Sequence, residues 1–241
     1  MATRCVGIDI GTSSIKVVEM LAHSKTYSLN WANEYKLSMN PAHDQDIEVL
    51  EILREILQRF DPSSSRIVLA IPQENVALRK KLFPFTERLK IVKSLIFELE
   101  DEIPLTVDNA IFEAKVLRYY GPQAEVLAMA APKSAIKNVL QKCADAGFTP
   151  ALISAEGTAF ANCLERWYEP PPTLPSISPQ LEEVGPPPAD LQMILHLGHT
   201  KSFLTVYENR VLIAIRTLAW GGRQIVEAVA QKYTLPFAEA R

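Results

Sequence analysis

Residues 7–16 read Gly7-Ile8-Asp9-Ile10-Gly11-Thr12-Ser13-Ser14-Ile15-Lys16, an apolar strand that enters a small hydroxyl-rich turn and leaves along a second apolar strand. Such a corner has the size and chemistry to hold a phosphate group. Gly11 lets the backbone turn with no Cβ in the way, and successive N–H groups of Thr12, Ser13 and Ser14 can converge on an anion. Lys16 adds a mobile positive charge. Asp9, at the end of the first strand, suits Mg²⁺ held through water, because Mg²⁺ takes one or two carboxylates together with phosphate and water. The same composition also suits an ordinary β-hairpin turn, which is rich in Gly, Ser and Thr for its own reasons. The GxxxxGK[ST] spacing of a P-loop is absent. Ile15, Val17, Val18 and Met20 continue as strand where a dinucleotide fingerprint would need a helix, which argues against that motif.

Residues 192–207 repeat the design as strand, small polar turn and strand: Gln192-Met193-Ile194-Leu195-His196-Leu197, then Gly198-His199-Thr200-Lys201, then Ser202 onward. Gly198, His199 and Thr200 again offer backbone N–H groups. Two hairpins of one design, each opening one half of the chain, are what a nucleotide cleft between pseudo-repeats needs, with one turn for the β-phosphate and one for the γ-phosphate.

The elements around the hairpins read as alternating strands and helices. Residues 27–37 alternate apolar and polar as a third antiparallel strand, and residues 43–60 form an amphipathic helix that places Ile47, Leu50, Leu53, Ile56 and Phe60 toward a core. Strands follow at 66–72 and 76–83. A helix at 86–102 carries Leu89, Val92, Leu95, Ile96 and Leu99 on one stripe, with Pro104 ending it. Two strands at 110–119 and 125–131 precede a helix over 132–146, stopped by Gly147 at the C-cap. A strand at 149–153 then leads through Glu156-Gly157-Thr158 to a helix over 159–167. Glu156 can serve as a catalytic carboxylate or as an acid at the positive end of that helix, and the second role is the simpler one. Residues 169–190 hold eight of the 17 prolines and read as a semi-rigid linker or loop. A strand at 211–218 and a helix over 223–232 complete the pattern.

Composition bounds the function classes. The chain has 241 residues, 48% hydrophobic and 22% charged, which is enough apolar surface for a core. A net charge of −3 without a Lys/Arg cluster gives no footprint for nucleic acid. Cys5, Cys143 and Cys163 are odd in number and lack ligand spacing, as expected of buried thiols in a reducing compartment. The opening Met1-Ala2-Thr3-Arg4 runs straight into a strand, so no signal peptide is expected. No apolar run approaches the roughly 18 residues of a membrane span.

Together these motifs resemble the actin-like ATPase superfamily, and within it the PilM family of type IV pili and the related cytoplasmic domains of the GspL family of type II secretion. Residues 7–19 are similar to the PilM opening motif nearly residue by residue. Val68-Leu69-Ala70-Ile71-Pro72, Leu99-Glu100-Asp101-Glu102-Ile103-Pro104, Ala130-Ala131-Pro132-Lys133 and residues 144–150 resemble the family's subdomain 1C, and Gly221-Gly222-Arg223-Gln224-Ile225 resembles its segment after the second hairpin. The resemblance implies an α/β, actin-like (ribonuclease H-like) fold. Residues 1–65 and 151–168 would form subdomain 1A and residues 66–150 an inserted βαβ-rich subdomain 1C. Residues 169–190 would be the proline-rich linker, and 191–241 the start of a partial second domain. It also implies ATP with Mg²⁺ as an allowed but not required ligand. The implied partner is a PilN-like cytoplasmic tail or a GspE-like secretion ATPase N-terminal domain, and the implied location is the cytoplasm, at a bacterial inner membrane to which the chain attaches indirectly.

Two departures shape the functional expectation. Superfamily ATPases carry an aspartate in the second hairpin, in a pattern like DxGxxxT, where this chain has His196. A neutral imidazole is a poor partner for hydrated Mg²⁺, which prefers oxygen, and a hydrogen-bonded strand histidine is the simpler role. The resemblance also places a glycine-rich adenosine-binding segment beyond Arg241. The expectation is an assembly scaffold that does not hydrolyse ATP, with an active ATPase or small-molecule kinase as the alternative and actin-like filament formation as a third reading.

Overall fold

The computed structural model describes residues 3–24, 26–38, 43–167 and 190–240; the proline-rich stretch expected at 169–190 lies outside them except for Asp190. The opening hairpin pairs β1 (Thr3–Ile10) with β2 (Ser14–Ala22) in antiparallel register, Asp9 opposite Lys16 and Ile10 opposite Ile15. β3 (Tyr27–Lys36) adds to the far side of β2. Helix α1 (Gln45–Arg59) begins where the Asp44 carboxylate accepts from the N–H groups of Asp46 and Ile47, at 3.0 and 3.4 Å. It buries Val49, Leu53 and Ile56 against Val6, Ile8, Ile15 and Val17.

β4 (Arg66–Ile71) runs parallel to β1. After a short 3₁₀ turn, Gln73–Asn75, the chain forms β5 (Ala77–Phe83), α2 (Arg88–Leu99), β6 (Ala110–Tyr120) and β7 (Gln123–Pro132). These three strands make their own antiparallel sheet in the order β5-β7-β6, and α2 packs on β6. Helix α3 (Lys133–Ala146) ends at Gly147 with φ 97°, a left-handed cap that favours glycine. β8 (Leu152–Ala155) then returns parallel to β4 and closes the five-stranded sheet β3-β2-β1-β4-β8. Helix α4 (Glu156–Trp167) leads to a third sheet, β11-β10-β9, built from β9 (Leu191–Leu197), β10 (Ser202–Glu208) and β11 (Val211–Leu218). Helix α5 (Gly222–Tyr233) follows. Phe160, Ala161 and Leu164 of α4 pack with Phe203, Tyr207, Leu212 and Ile215 of the third sheet and with Leu78, Leu117 and Leu127 of the second. Since α4 also contacts β4 and β8, it touches all three sheets. Among the described residues no helix is long and apolar enough to cross a membrane.

Four sequence expectations are corrected. In α2 the buried stripe is Ile91, Leu95 and Leu99, while Leu89 is 79% exposed. Leu89 lies two residues from Ile91, about 200° around the helix, so both cannot face one core. The same offset leaves Ile47 outside and Val49 inside on α1. Helix α4 starts at Glu156, three residues early, for reasons that belong to the site. Of the cysteines only Cys143 is buried, its thiol pushed up to about 11 by desolvation, while Cys163 is exposed.

Leu53, fully buried in the first core, should cost about 2–5 kcal/mol on truncation to Ala. Leu89→Ala should stay within about 0.5 kcal/mol. Urea denaturation midpoints of the two variants check the corrected phase of each helix.

Candidate functional site

The two glycine turns are built alike and face each other. In the first, Gly11 N–H donates to Ser14 O at 3.0 Å, and a Cβ on Gly11 would stand 2.9 Å from that carbonyl. In the second, a Cβ on Gly198 would stand 2.2 Å from Lys201 O. Neither glycine has a positive φ. Close approach of the backbone, not left-handed geometry, is what requires glycine at both.

The carbonyls of each turn are tied to the scaffold. Thr12 O accepts from the Gln45 side chain and Ser13 O from Leu37 N–H, both at 3.0 Å. Gly198 O accepts from Gly222 N–H at 2.9 Å and His199 O from Arg223 N–H at 2.7 Å, so the second turn caps the start of α5. In a trans peptide the N–H points opposite to the preceding carbonyl. The N–H groups of Ser13 and Ser14, and of His199 and Thr200, are thereby turned away from those scaffold partners. Gly221 lets α5 sit this close, since its Cβ would fall 2.5 Å from His199 O and 2.7 Å from Gly198 O.

Between the turns lies a cleft of about 140 Å³ whose lining includes Asp9, Gly11, Thr12, Ser13, Ser14, Lys16, Gly198, His199 and Thr200. The structure thus brings all nine sequence candidates to one place, and Thr12 Oγ1 lies 3.2 Å from Thr200 Oγ1 across it. Small-molecule sites usually enclose about 300–1,000 Å³. The cleft as it stands fits phosphate groups and not a whole nucleotide. Ser202 Oγ, buried beside it, has no hydrogen-bond partner among the described residues, an orphan that a phosphate oxygen would satisfy. Among the described residues no three His, Cys, Asp or Glu side chains gather as a metal-ligand set. Mg²⁺ at Asp9 would rely on phosphate and water for its remaining oxygens.

At the register position where the first hairpin sets Asp9 against Lys16, with Oδ2 and Nζ 3.9 Å apart, the second sets His196 against Phe203. Those rings stack at 4.6 Å and 17°, and Phe160 closes edge-on to His196 at 5.3 Å. The ion pair of one hairpin is an aromatic cluster in the other, and His196 is a packing residue first.

Polar cleft residues that the sequence did not single out as ligands include Gln73, Glu74, Lys201 and Ser202, while Glu156 was weighed only as a catalytic or helix-start acid. Lys201 ends the second turn and could have been found from the echo. Gln73 and Glu74 carry no local signal; β4 delivers them, as the carboxyl ends of strands commonly deliver ligand-facing loops. Gln73 is buried, and its Oε1 accepts from Gly157 N–H at 3.0 Å while its own N–H donates to Glu156 Oε2 at 3.2 Å. This clamp satisfies an orphan N–H at the start of α4 and explains the early helix start. Burial holds the Glu156 carboxyl above the ordinary carboxylate range; the Gln73 N–H opposes this, Asp9 adds to it, His196 opposes and Glu74 adds.

Residues 7–241 match the family described as type IV pilus assembly protein PilM. Among solved structures, a chain of the PilM–PilN type IV pilus biogenesis complex is 20% identical with a TM-score of 0.72, covering 98% of this chain and 67% of that one. The cytoplasmic domain of EpsL, an inner-membrane component of the type II secretion system of Vibrio cholerae, is 11% identical with a TM-score of 0.50, covering 97% and 77%. The fold is the α/β, actin-like one that the sequence resembles.

Gly221→Ala should cost about 1–3 kcal/mol by forcing α5 off the second turn. Gly222→Ala, whose Cβ would lie 3.8 Å from Gly198 O, should be tolerated; thermal melts of the pair check this. Glu156 also predicts a pH dependence. Its folded pKa is raised, so above the ordinary carboxylate value of 4.5 the folded state holds more protons than the unfolded chain, and stability falls as pH rises. Glu156→Gln should therefore gain on wild type from about pH 4.5 to about pH 7, measured by denaturation at both ends of that range.

Proposed function

From its membership of the PilM family of type IV pilus assembly proteins, we propose that this chain is an actin-like platform subunit that binds partner proteins at a bacterial inner membrane and uses nucleotide at most as a structural ligand between its two hairpin turns. The observation that carries this reading is the His196–Phe203 stack. A γ-phosphate at the second turn would find backbone N–H groups, hydroxyls and Lys201, but an imidazole and no carboxylate at the register position where the first hairpin has Asp9 to hold hydrated metal. Imidazole suits softer ions. Such a cleft binds phosphate better than it activates water.

The partner reading rests on a second groove, of about 470 Å³, with an apolar wall that includes Ile71, Val76, Ile111, Met129 and Ile153 and a rim that includes Arg88, Glu113 and Lys115. It lies between β8 and β6, the edge strands of two different sheets. An extended peptide can pair with such an edge and place alternate side chains into the apolar wall. A PilN-like cytoplasmic tail is the partner proposed for it, because the similar structure is of a PilM–PilN complex, and a GspE-like N-terminal domain is the other partner to be tested. Residues 66–150 then act as an inserted unit that supplies one wall of the groove.

The enzyme reading keeps one observation in its favour, the Glu156 carboxylate in the cleft with a raised pKa, which is how a general base is tuned. Steady Mg-ATP turnover that is lost in both Asp9→Ala and Glu156→Gln would promote it. For the platform reading, a synthetic PilN cytoplasmic tail should bind saturably, and Ile111→Glu should weaken it at least about tenfold without unfolding the chain, because Ile111 is 43% exposed. Calorimetric titration reads both. Absence of saturable binding by the tail and by the GspE-like domain overturns the reading.

A further inference from the structure

Lys201 and Glu74 meet across the cleft as an ion pair, and both line it. Lys201 closes the second turn; Glu74 comes from the opposite wall, on the 3₁₀ turn between β4 and β5. We propose that Glu74 is an internal anion that occupies the second phosphate turn, so that a phosphate ligand enters by displacing its carboxylate from Lys201. The inference rests on the reading of the cleft as a phosphate site and adds what that site selects.

The seat of Glu74 is rigid. Its neighbour Gln73 is buried and clamped to Gly157 and Glu156, while Asn75 N–H donates to Pro72 O at 3.0 Å and Val76 N–H to Gln73 O at 3.1 Å. The carboxylate is thus presented toward the turn by fixed backbone. The pair itself is half solvated, with 48% of the Lys201 side chain and 30% of the Glu74 side chain exposed. Ion pairs of that exposure add little to stability. Glu74 is therefore better explained as an exchangeable counter-ion than as a structural strut. The first turn differs, since the partner of Lys16 is Asp9 on the same hairpin, at 3.9 Å. Among the described residues the lysines that line the cleft are Lys16 and Lys201, each paired with a carboxylate, Asp9 and Glu74, so an anion must compete for either.

That competition defines the ligand. A terminal phosphate carries about −1.5 to −2 at neutral pH and can outbid a single carboxylate for the ammonium. A phosphodiester or a carboxylate, with one charge, cannot. The class assigned is a terminal phosphate, as in a nucleoside di- or triphosphate or pyrophosphate.

The test is calorimetric titration of ATP, ADP and pyrophosphate, each with Mg²⁺ and with EDTA, into wild type, Glu74→Gln, Lys201→Gln and the double variant. Glu74→Gln should bind about five- to tenfold tighter than wild type, Lys201→Gln weaker, and Glu74→Gln should gain much less in the Lys201→Gln background. Without ligand, Glu74→Gln should melt within about 2 °C of wild type. Ligand binding by wild type with no gain in Glu74→Gln overturns this inference alone. If no variant binds any of the three ligands, the cleft is not a phosphate site and both readings fall.

Discussion

Two turns must present their N–H groups to one small volume while every carbonyl they turn outward finds a donor. The rest of the fold follows from that constraint. Buried or half-buried peptide groups are costly when unpaired, and here Gln45 of α1, Leu37 after β3, and Gly222 and Arg223 of α5 meet the outward carbonyls. The glycines at 11, 198 and 221 stand where a Cβ would collide with backbone. The geometry of the two turns is thus held by elements outside the cleft.

The second constraint is the wall between cleft and groove. Ile71 lines both, and the Gln73–Gly157–Glu156 clamp stands at the same junction of β4 with α4. A Cβ on Gly157 would meet Gln73 Oε1 at 2.5 Å, so any larger residue there would have to push the glutamine side chain out of the clamp. Since α4 also packs on the third sheet through Phe160, Ala161 and Leu164, the helix that starts at the clamp carries the second hairpin. One buried glutamine side chain therefore stands at the junction of the cleft, the groove and the helix that joins them.

Much of this was legible in the sequence, for identifiable reasons. Both hairpins announce themselves because apolar strands flank a glycine and small polar residues, and the register follows from the turn, which is why all nine proposed residues reach one cleft. The helices were legible as helices but not in phase, because Leu89 and Ile47 are as apolar as the Ile91 and Val49 that are buried instead. Gln73 and Glu74 were illegible as ligands, being placed by parallel pairing of β4 with β1 and β8, a long-range fact without local signature. His196 was visible as a departure from the superfamily pattern, while its stacking on Phe203 emerged only from the cross-strand register.

A nucleotide that enters this cleft should stay intact, because His196 and not a carboxylate stands opposite Phe203 on the second hairpin. The most direct measurement is a crystal structure of the protein grown with Mg-ATP. The expected density is an unbroken triphosphate spanning the Gly11 and Gly198 turns, with any metal held by phosphate oxygens and water on the Asp9 side and His196 still stacked on Phe203. ADP with a released phosphate, or His196 turned out of its stack to bind metal, would contradict it.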